Sequence, residues 1–165
     1  MTLSLDGIAG GAEAVVTANL TGRVDDWQEA GVNFSVGLKG PDGGRLLQQL
    51  GFDIIPVGED SGGQIYLIAT GVPSNGLAVE VAATVGSSDL KAEGSLVLQS
   101  GTDPEFSARV EARTEDLAPL ALMAGTVLPV MTGTIPADVT FDLKGKGSDL
   151  EIANAKGTLG DTTFE

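Results

Sequence analysis

The stretch Lys-Gly-Lys-Gly-Ser-Asp at residues 144–149 combines residue types that can bind a phosphate group. Glycines free backbone N–H groups for an anion, and lysines supply positive charge. The spacing Gly145-x-Gly147-x-x-Leu150, however, lacks the third glycine of a dinucleotide-binding loop, and the chain contains no phosphate-loop signature. Because apolar and polar residues alternate on both sides of the stretch, we expect a hairpin turn here.

Three pairs of adjacent carboxylates would suit acid–base catalysis if both members faced one substrate: Asp25–Asp26, Glu59–Asp60 and Glu115–Asp116. Neighbouring residues of a strand point to opposite faces, and acidic residues are favourable at a helix start, so we interpret all three as solvated residues. The chain has no histidine and no cysteine. A serine nucleophile therefore lacks its usual base, and imidazole and thiolate metal ligands are excluded. We predict a protein that is not an enzyme and uses no metal or cofactor.

The charge and the composition restrict the possible partners. The formal net charge is −14, with 23 acidic residues against 9 basic ones. Because nucleic-acid binding depends on clustered lysine and arginine, we expect no nucleic-acid partner. Hydrophobic residues make up 42% of the chain but aromatic residues only 4%. The apolar surface is therefore aliphatic, and no run of about 18 apolar residues forms a membrane-spanning helix.

Apolar and polar residues alternate along most of the chain, which is typical of half-buried antiparallel strands. Connections such as residues 40–44 and 72–76 contain Gly, Pro, Asp, Ser and Asn, the residues that favour turns. The segment 65–69 is apolar on both faces. Two stretches depart from the alternation and predict short amphipathic helices, at residues 42–51 with Asp42 as the N-cap and at residues 114–125 with Thr114 or Asp116 as the cap.

The pattern repeats at an interval of 74 residues. Val36 and Val110 precede the two predicted helices, and residues 65–71 match residues 139–145. The repeating unit is a strand, a short helix, a proline-containing loop and further strands, which indicates stacked supersecondary units. We therefore divide the single β-rich segment 1–165 into approximate units 32–98 and 106–165, and we expect it to be part of a longer protein.

The second unit resembles the AsmA-like family of bacterial envelope proteins. It has an Asp-Leu-x-x-Leu helix (Asp116, Leu117, Leu120), a Gly/Pro loop (Gly133, Pro136), a strand from Val139 to Gly145, and a final pattern of Leu150, Ile152, Gly157, Leu159, Gly160 and Phe164. The first unit, Gly40 to Leu96, resembles it more weakly. The motif consists of apolar and glycine positions and carries no catalytic signature.

The resemblance implies a periplasmic protein that is anchored to the bacterial inner membrane through a segment absent from this chain. Such proteins build a β-groove from neighbouring repeats and are linked to phospholipid transport and outer-membrane assembly. We accordingly expect phospholipid or other acyl chains as partners on the apolar strand faces. The candidate lipid-facing residues are Val32, Phe34, Val36, Leu77, Val79, Val81, Leu96, Val110, Val139, Phe141, Leu143, Leu150 and Ile152.

Two questions stay open at the level of sequence. The predicted fold is mainly β with two short helices and a curved antiparallel sheet. The sheet either forms an open groove or closes into a sandwich. Strand alternation fits both forms, so it does not decide between them. The alternative function is a non-enzymatic structural or adhesive β-repeat module of a secreted or surface protein.

Overall fold

The structure is a computed structural model that describes residues 1–49, 62–118 and 133–165. It contains a helix α1 at Gly43–Gln49, a short 3₁₀ turn at Trp27–Glu29 and ten strands. The strands are β1 (Thr2–Ala9), β2 (Ala12–Thr21), β3 (Gly31–Gly40), β4 (Gly63–Val72), β5 (Gly76–Val85), β6 (Ser88–Val97), β7 (Glu105–Thr114), β8 (Ala137–Lys146), β9 (Asp149–Leu159) and β10 (Thr162–Phe164).

The strands form one open, curved antiparallel sheet in chain order, with each strand paired to the next one along the chain. The prediction of a curved antiparallel sheet is therefore confirmed, and the described strands do not close into a sandwich. The loop at residues 144–149 is a hairpin in which Lys146 pairs with Asp149, as predicted. A two-residue hairpin loop favours positive φ, and Gly147 adopts a φ of 59°.

Of the two predicted helices, the described residues contain the first, α1. The Arg45 backbone N–H donates to Oδ1 of Asp42 at 3.0 Å, so Asp42 is the predicted cap. Most of the second prediction, at residues 114–125, lies outside the described residues. Three pairs of strands begin 74 residues apart, β3 with β7, β4 with β8 and β6 with β10, whereas β5 and β9 begin 73 residues apart. The division into units 32–98 and 106–165 remains a prediction.

Helix α1 packs across one end of β3, β4 and β5 and forms the best-buried part of the described residues. Leu46 is only 2% exposed and packs with Ala12 and Ile65. A Cβ added to Gly63 would lie 2.6 Å from Cα of Gly43 in the helix. A side chain at residue 63 would therefore prevent the close approach of helix and sheet.

Strand β9 contains a β-bulge that keeps its apolar residues on one face. Asp142 pairs with Ala153 whereas Thr140 pairs with Lys156, so β9 has one residue more than β8 in this interval. Asn154 has a φ of 52°, and its side-chain amide donates to Oδ2 of Asp142 at 2.7 Å. In a regular strand Ile152 and Leu159 would point to opposite faces, because they are an odd number of residues apart. The extra residue brings both to the same face.

The positive φ of Asn154 makes this residue of β9 sensitive to a branched side chain. We expect Asn154→Val to lower the free energy of unfolding by about 1–2 kcal/mol, because a β-branched residue is disfavoured at positive φ. Asn154→Gly should stay within about 0.5 kcal/mol of the original chain. Urea unfolding followed by circular dichroism measures both, with Asn33→Val in β3 as the control at a negative φ. Equal losses for Gly and Val at residue 154 would contradict this explanation.

Candidate functional site

The sheet presents one continuous apolar surface, which we call the apolar face. Residues that pair across neighbouring strands share a face, so the strand registers arrange its side chains in rows that run across the sheet. The central row contains Leu5, Val16, Val36, Leu67, Val81, Ala92, Val110 and Phe141. The next row contains Leu3, Ala18, Phe34, Ala69, Val79, Gly94, Ala108, Leu143 and Ile152.

All the candidate lipid-facing residues lie on this face. Val36, Val81, Val110 and Phe141 belong to the central row, and Phe34, Val79, Leu143 and Ile152 belong to the next. Val32, Leu77, Leu96 and Leu150 lie in the row beyond, and Val139 lies on the other side of the central row. Their exposure ranges from 5% for Val110 to 62% for Leu150. The strand registers thus bring the predicted residues together, whereas contact with lipid remains a prediction.

The apolar face is largely uncovered within the described ranges. Helix α1 packs on it at one end only, near Ala12 and Ile65. Most side chains in the central rows are half-buried by their neighbours in the sheet and open to solvent above. An antiparallel sheet with one apolar side normally covers that side with another layer. The described part of the chain does not supply such a layer.

Two apolar cavities lie side by side on this face above β5, β6 and β7. The first has a volume of about 250 Å³ and is lined by Val79, Val81, Ala92, Gly94, Leu96, Phe106 and Ala108, with Ser95 and Ser107. The second, of about 230 Å³, lies beside α1, and its lining includes Leu47, Leu90, Ala112 and Val139. Ala92, Gly94 and Ala108 are small, which leaves space between the larger side chains around them. This surface has the shape and the chemistry to hold a flexible aliphatic chain.

The rim of the first cavity is fixed by an aromatic ring. Phe106 pairs with Gly145 across β7 and β8, and its ring lies over that glycine. A Cβ added to Gly145 would overlap the ring. Glycine at residue 145 therefore gives Phe106 its position at the end of the cavity.

The opposite side of the sheet, which we call the polar face, carries cross-strand ion pairs. Arg113 of β7 bonds Asp138 of β8 at 2.6 Å, and Lys146 bonds Glu105. The hydrogen bond from Arg113 to Asp138 raises the pKa of the guanidinium, and the bond from Lys146 to Glu105 raises the pKa of the ammonium. These pairs are exposed to water, so they contribute little to stability and mark a solvated surface.

A further cavity, lined mainly by residues of the polar face, suits an acyl chain poorly. It has a volume of about 490 Å³, and its lining includes Lys144, Lys146, Glu105, Asp149 and Glu151. An acyl chain gains free energy by leaving water for an apolar surface, whereas burying these charges would cost free energy. We therefore base the site on the two smaller cavities of the apolar face.

Two of the three pairs of adjacent carboxylates, Asp25–Asp26 and Glu115–Asp116, lie in the described residues. Asp25 bonds Arg23 at 2.5 Å, and this hydrogen bond lowers the pKa of Asp25. Oδ1 of Asp116 accepts hydrogen bonds from the backbone N–H groups of Ala118 and Ile135, at 3.0 and 3.3 Å. Glu59 and Asp60 lie outside the described residues. In the residues that the structure describes, no cluster of acidic side chains has the arrangement of a metal site.

Sequence reasoning missed three parts of the surface. Leu5, Val16 and Leu67 continue the central row but were not among the candidates. Leu159 lies on the apolar face only because of the bulge. The spacing of apolar residues in β9 changes from even to odd before Leu159, and this change is the sequence signal for the bulge. Tyr66 and Ile68, 49% and 45% exposed, give the polar face an apolar patch. The predicted apolar character of both faces of residues 65–69 is thus confirmed.

No helix among the described residues is long and apolar enough to cross a membrane. Comparison of the chain with protein-family models, with curated proteins and with solved structures gives no match.

Proposed function

We propose that this chain is a β-groove segment that binds the acyl chains of lipids on its apolar face. The observation that carries the proposal is the uncovered apolar face itself, with its rows of aliphatic side chains and two adjoining cavities. Its lining has few hydrogen-bonding groups, and an acyl chain needs few. The face is mostly aliphatic, so it offers burial without a rigid, shape-specific pocket.

The size of the surface suits a long aliphatic ligand. The central row runs from Leu5 in β1 to Phe141 in β8, which is roughly 34 Å at about 4.8 Å per strand. Each methylene that leaves water contributes roughly 0.8 kcal/mol, so about a dozen methylenes contribute on the order of 10 kcal/mol before the cost of ordering the chain. That total is large enough for measurable binding.

The wider role is part of the same proposal and is supported by the resemblance to AsmA-like proteins. The chain is then a periplasmic segment of an inner-membrane-anchored protein that takes part in phospholipid transport and outer-membrane assembly. Neighbouring repeats would extend the apolar face and give lipids a longer path. Binding through an apolar surface requires no cofactor and no catalytic residue.

Native mass spectrometry of the chain purified from bacterial cells without detergent tests the proposal. We expect adducts with the masses of phospholipids or fatty acids, which a fluorescent fatty acid displaces in solution. The proposal fails if the purified chain carries no lipid and also does not bind the fluorescent fatty acid. Lysozyme, handled in the same way, controls for carry-over of lipid during purification.

A structural or adhesive module is the second candidate, and the apolar patch on the polar face favours it. Tyr66 and Ile68 are exposed there beside Val15, which is 48% exposed, and such patches often contact another protein. The double variant Tyr66→Ser/Ile68→Thr removes this patch from the polar face and leaves the apolar face unchanged. We expect it to bind the fluorescent fatty acid as the original chain does, because neither side chain lies on the apolar face.

A further inference from the structure

The two cavities of the apolar face lie end to end along one strand. Strand β6 contributes Leu90, Ala92, Gly94 and Leu96 to this face, at every second position. Leu90 lines the second cavity, and the other three residues line the first. From Leu90 to Leu96 the strand rises by about 20 Å. The two cavities therefore form one trough that runs along β6.

Differences in side-chain size give this trough its direction. Strand β6 has Ala92 and Gly94 at the centre of the trough, and Ala108 of β7 pairs with Gly94. The strands on either side carry larger apolar residues in the same two rows, namely Val79 and Val81 in β5 and Phe141 and Leu143 in β8. A ligand that lay across the strands would meet these larger side chains. A ligand that lies along β6 has the small residues beneath its middle.

The two ends of the trough differ in their surroundings. At one end the second cavity is lined by Leu47 of α1 and by Leu117, which add apolar side chains to those of the strands. At the other end β6 ends at Val97 and β7 begins at Glu105, and the loop between them is exposed from residue 99 to residue 104. A polar group would therefore stay in water at this second end, whereas burial beside α1 would cost it free energy.

We propose that a single acyl chain lies along β6, with its methyl end beside α1 and its polar end beside Leu96 and Phe106. This inference rests on the proposed function and adds the position and the direction of the ligand. The length of the trough then limits how much of the acyl chain leaves water. Methylenes beyond that limit add nothing to the affinity, because they stay exposed.

Two alanines in one row of the apolar face test the position of the acyl chain. Ala108 lines the first cavity, whereas Ala18 lies in the same row in β2, outside both cavities. Ala108→Phe should weaken the binding of a fluorescent fatty acid roughly tenfold or more, because the ring displaces methylenes from the trough. Ala18→Phe should leave the affinity within about twofold of the original. Circular dichroism checks the fold, and Ala112→Phe in the second cavity repeats the test if Ala108→Phe does not fold.

The outcomes separate this inference from the proposed function. Equal weakening by Ala18→Phe and Ala108→Phe would overturn the inference, because the fatty acid would then lie across the strands, while the proposed function would stand. An original chain that does not bind the fatty acid would overturn the proposed function and the inference with it.

Stearic acid that carries a nitroxide tests the direction of the ligand independently. The nitroxide broadens the amide signals of nearby residues in the NMR spectrum of the isotope-labelled chain. With the nitroxide near the carboxyl group, we expect the strongest broadening at Leu96 and Phe106. With the nitroxide near the methyl end, we expect it at Leu90 and Ala112, and amides of β1, roughly 24 Å from β6, should stay sharp in both spectra. Strongest broadening at the same residues in both spectra, or in the reverse order, would overturn the inference.

Discussion

Replacing Ala92 with phenylalanine should weaken the binding of a fluorescent fatty acid roughly 30-fold. Ala92 lines the cavity of about 250 Å³ on the apolar face, at the centre of the row that crosses β6. A ring at residue 92 would occupy the space of two or three methylenes of the ligand, which is worth roughly 2 kcal/mol. Titration of the labelled fatty acid, followed by its fluorescence, gives the two dissociation constants.

Ala82→Phe is the matched control for this experiment. Ala82 lies in the neighbouring strand β5 but on the polar face, where it pairs with Lys91. The same change in size should leave the affinity for the fatty acid within about twofold, because the ring points away from the cavities. Equal effects of the two substitutions would show that the fatty acid does not bind on the apolar face.

Leu46→Ala should cause the largest loss of stability of any single truncation in the described chain. Leu46 is the best-buried large side chain of the apolar cluster under α1, at 2% exposure. Truncation of a buried leucine to alanine typically costs 2–5 kcal/mol, and we expect about 3 kcal/mol here. Urea unfolding followed by circular dichroism measures the loss, and faster hydrogen exchange in α1 should accompany it.

Leu150→Ala provides the corresponding control on the open part of the apolar face. Leu150 is 62% exposed, so its truncation should cost less than about 1 kcal/mol. If Leu46→Ala cost no more than Leu150→Ala, then α1 would not be held to the sheet by this side chain. A lower affinity for fatty acid in Leu150→Ala, with unchanged stability, would in addition support lipid contact at this end of the face.

The strands and their faces could be predicted from the sequence because they depend on local alternation. Val32, Phe34 and Val36 lie on one face simply because side chains alternate along a strand. The α1 prediction succeeded for a similar reason, since the Asp42 cap acts on backbone groups only a few residues away. The second predicted helix lies mostly outside the described residues and stays a prediction.

Features that depend on contacts between distant residues could not be predicted in the same way. The bulge at Asn154 is defined by its pairing with β8, although the odd spacing of Ile152 and Leu159 indicates it in retrospect. The open sheet was one of two alternatives, because alternation does not say what lies above the apolar face. Phe106 over Gly145 likewise depends on the register between two strands.

The candidate site likewise combines features that follow from local sequence with features that depend on contacts between distant residues. The sequence predicted which side chains share the apolar face, and the strand registers bring all of them together. It did not predict the two cavities above β5–β7, because these arise where the small residues Ala92, Gly94 and Ala108 meet across three strands. Nor did it indicate that Arg113 and Lys146 would be paired with acidic residues on neighbouring strands.

Photo-crosslinking at defined positions tests the central claim most directly. A photoreactive side chain is placed at Val79 or Phe141 on the apolar face, and at Ala82 or Thr140 on the polar face as controls. After irradiation of bacterial cells that produce the chain, we predict phospholipid adducts at Val79 and Phe141, detected by mass spectrometry, and none at the two control positions. Adducts at all four positions, or only protein adducts at Val79 and Phe141, would contradict the claim that the apolar face binds lipid.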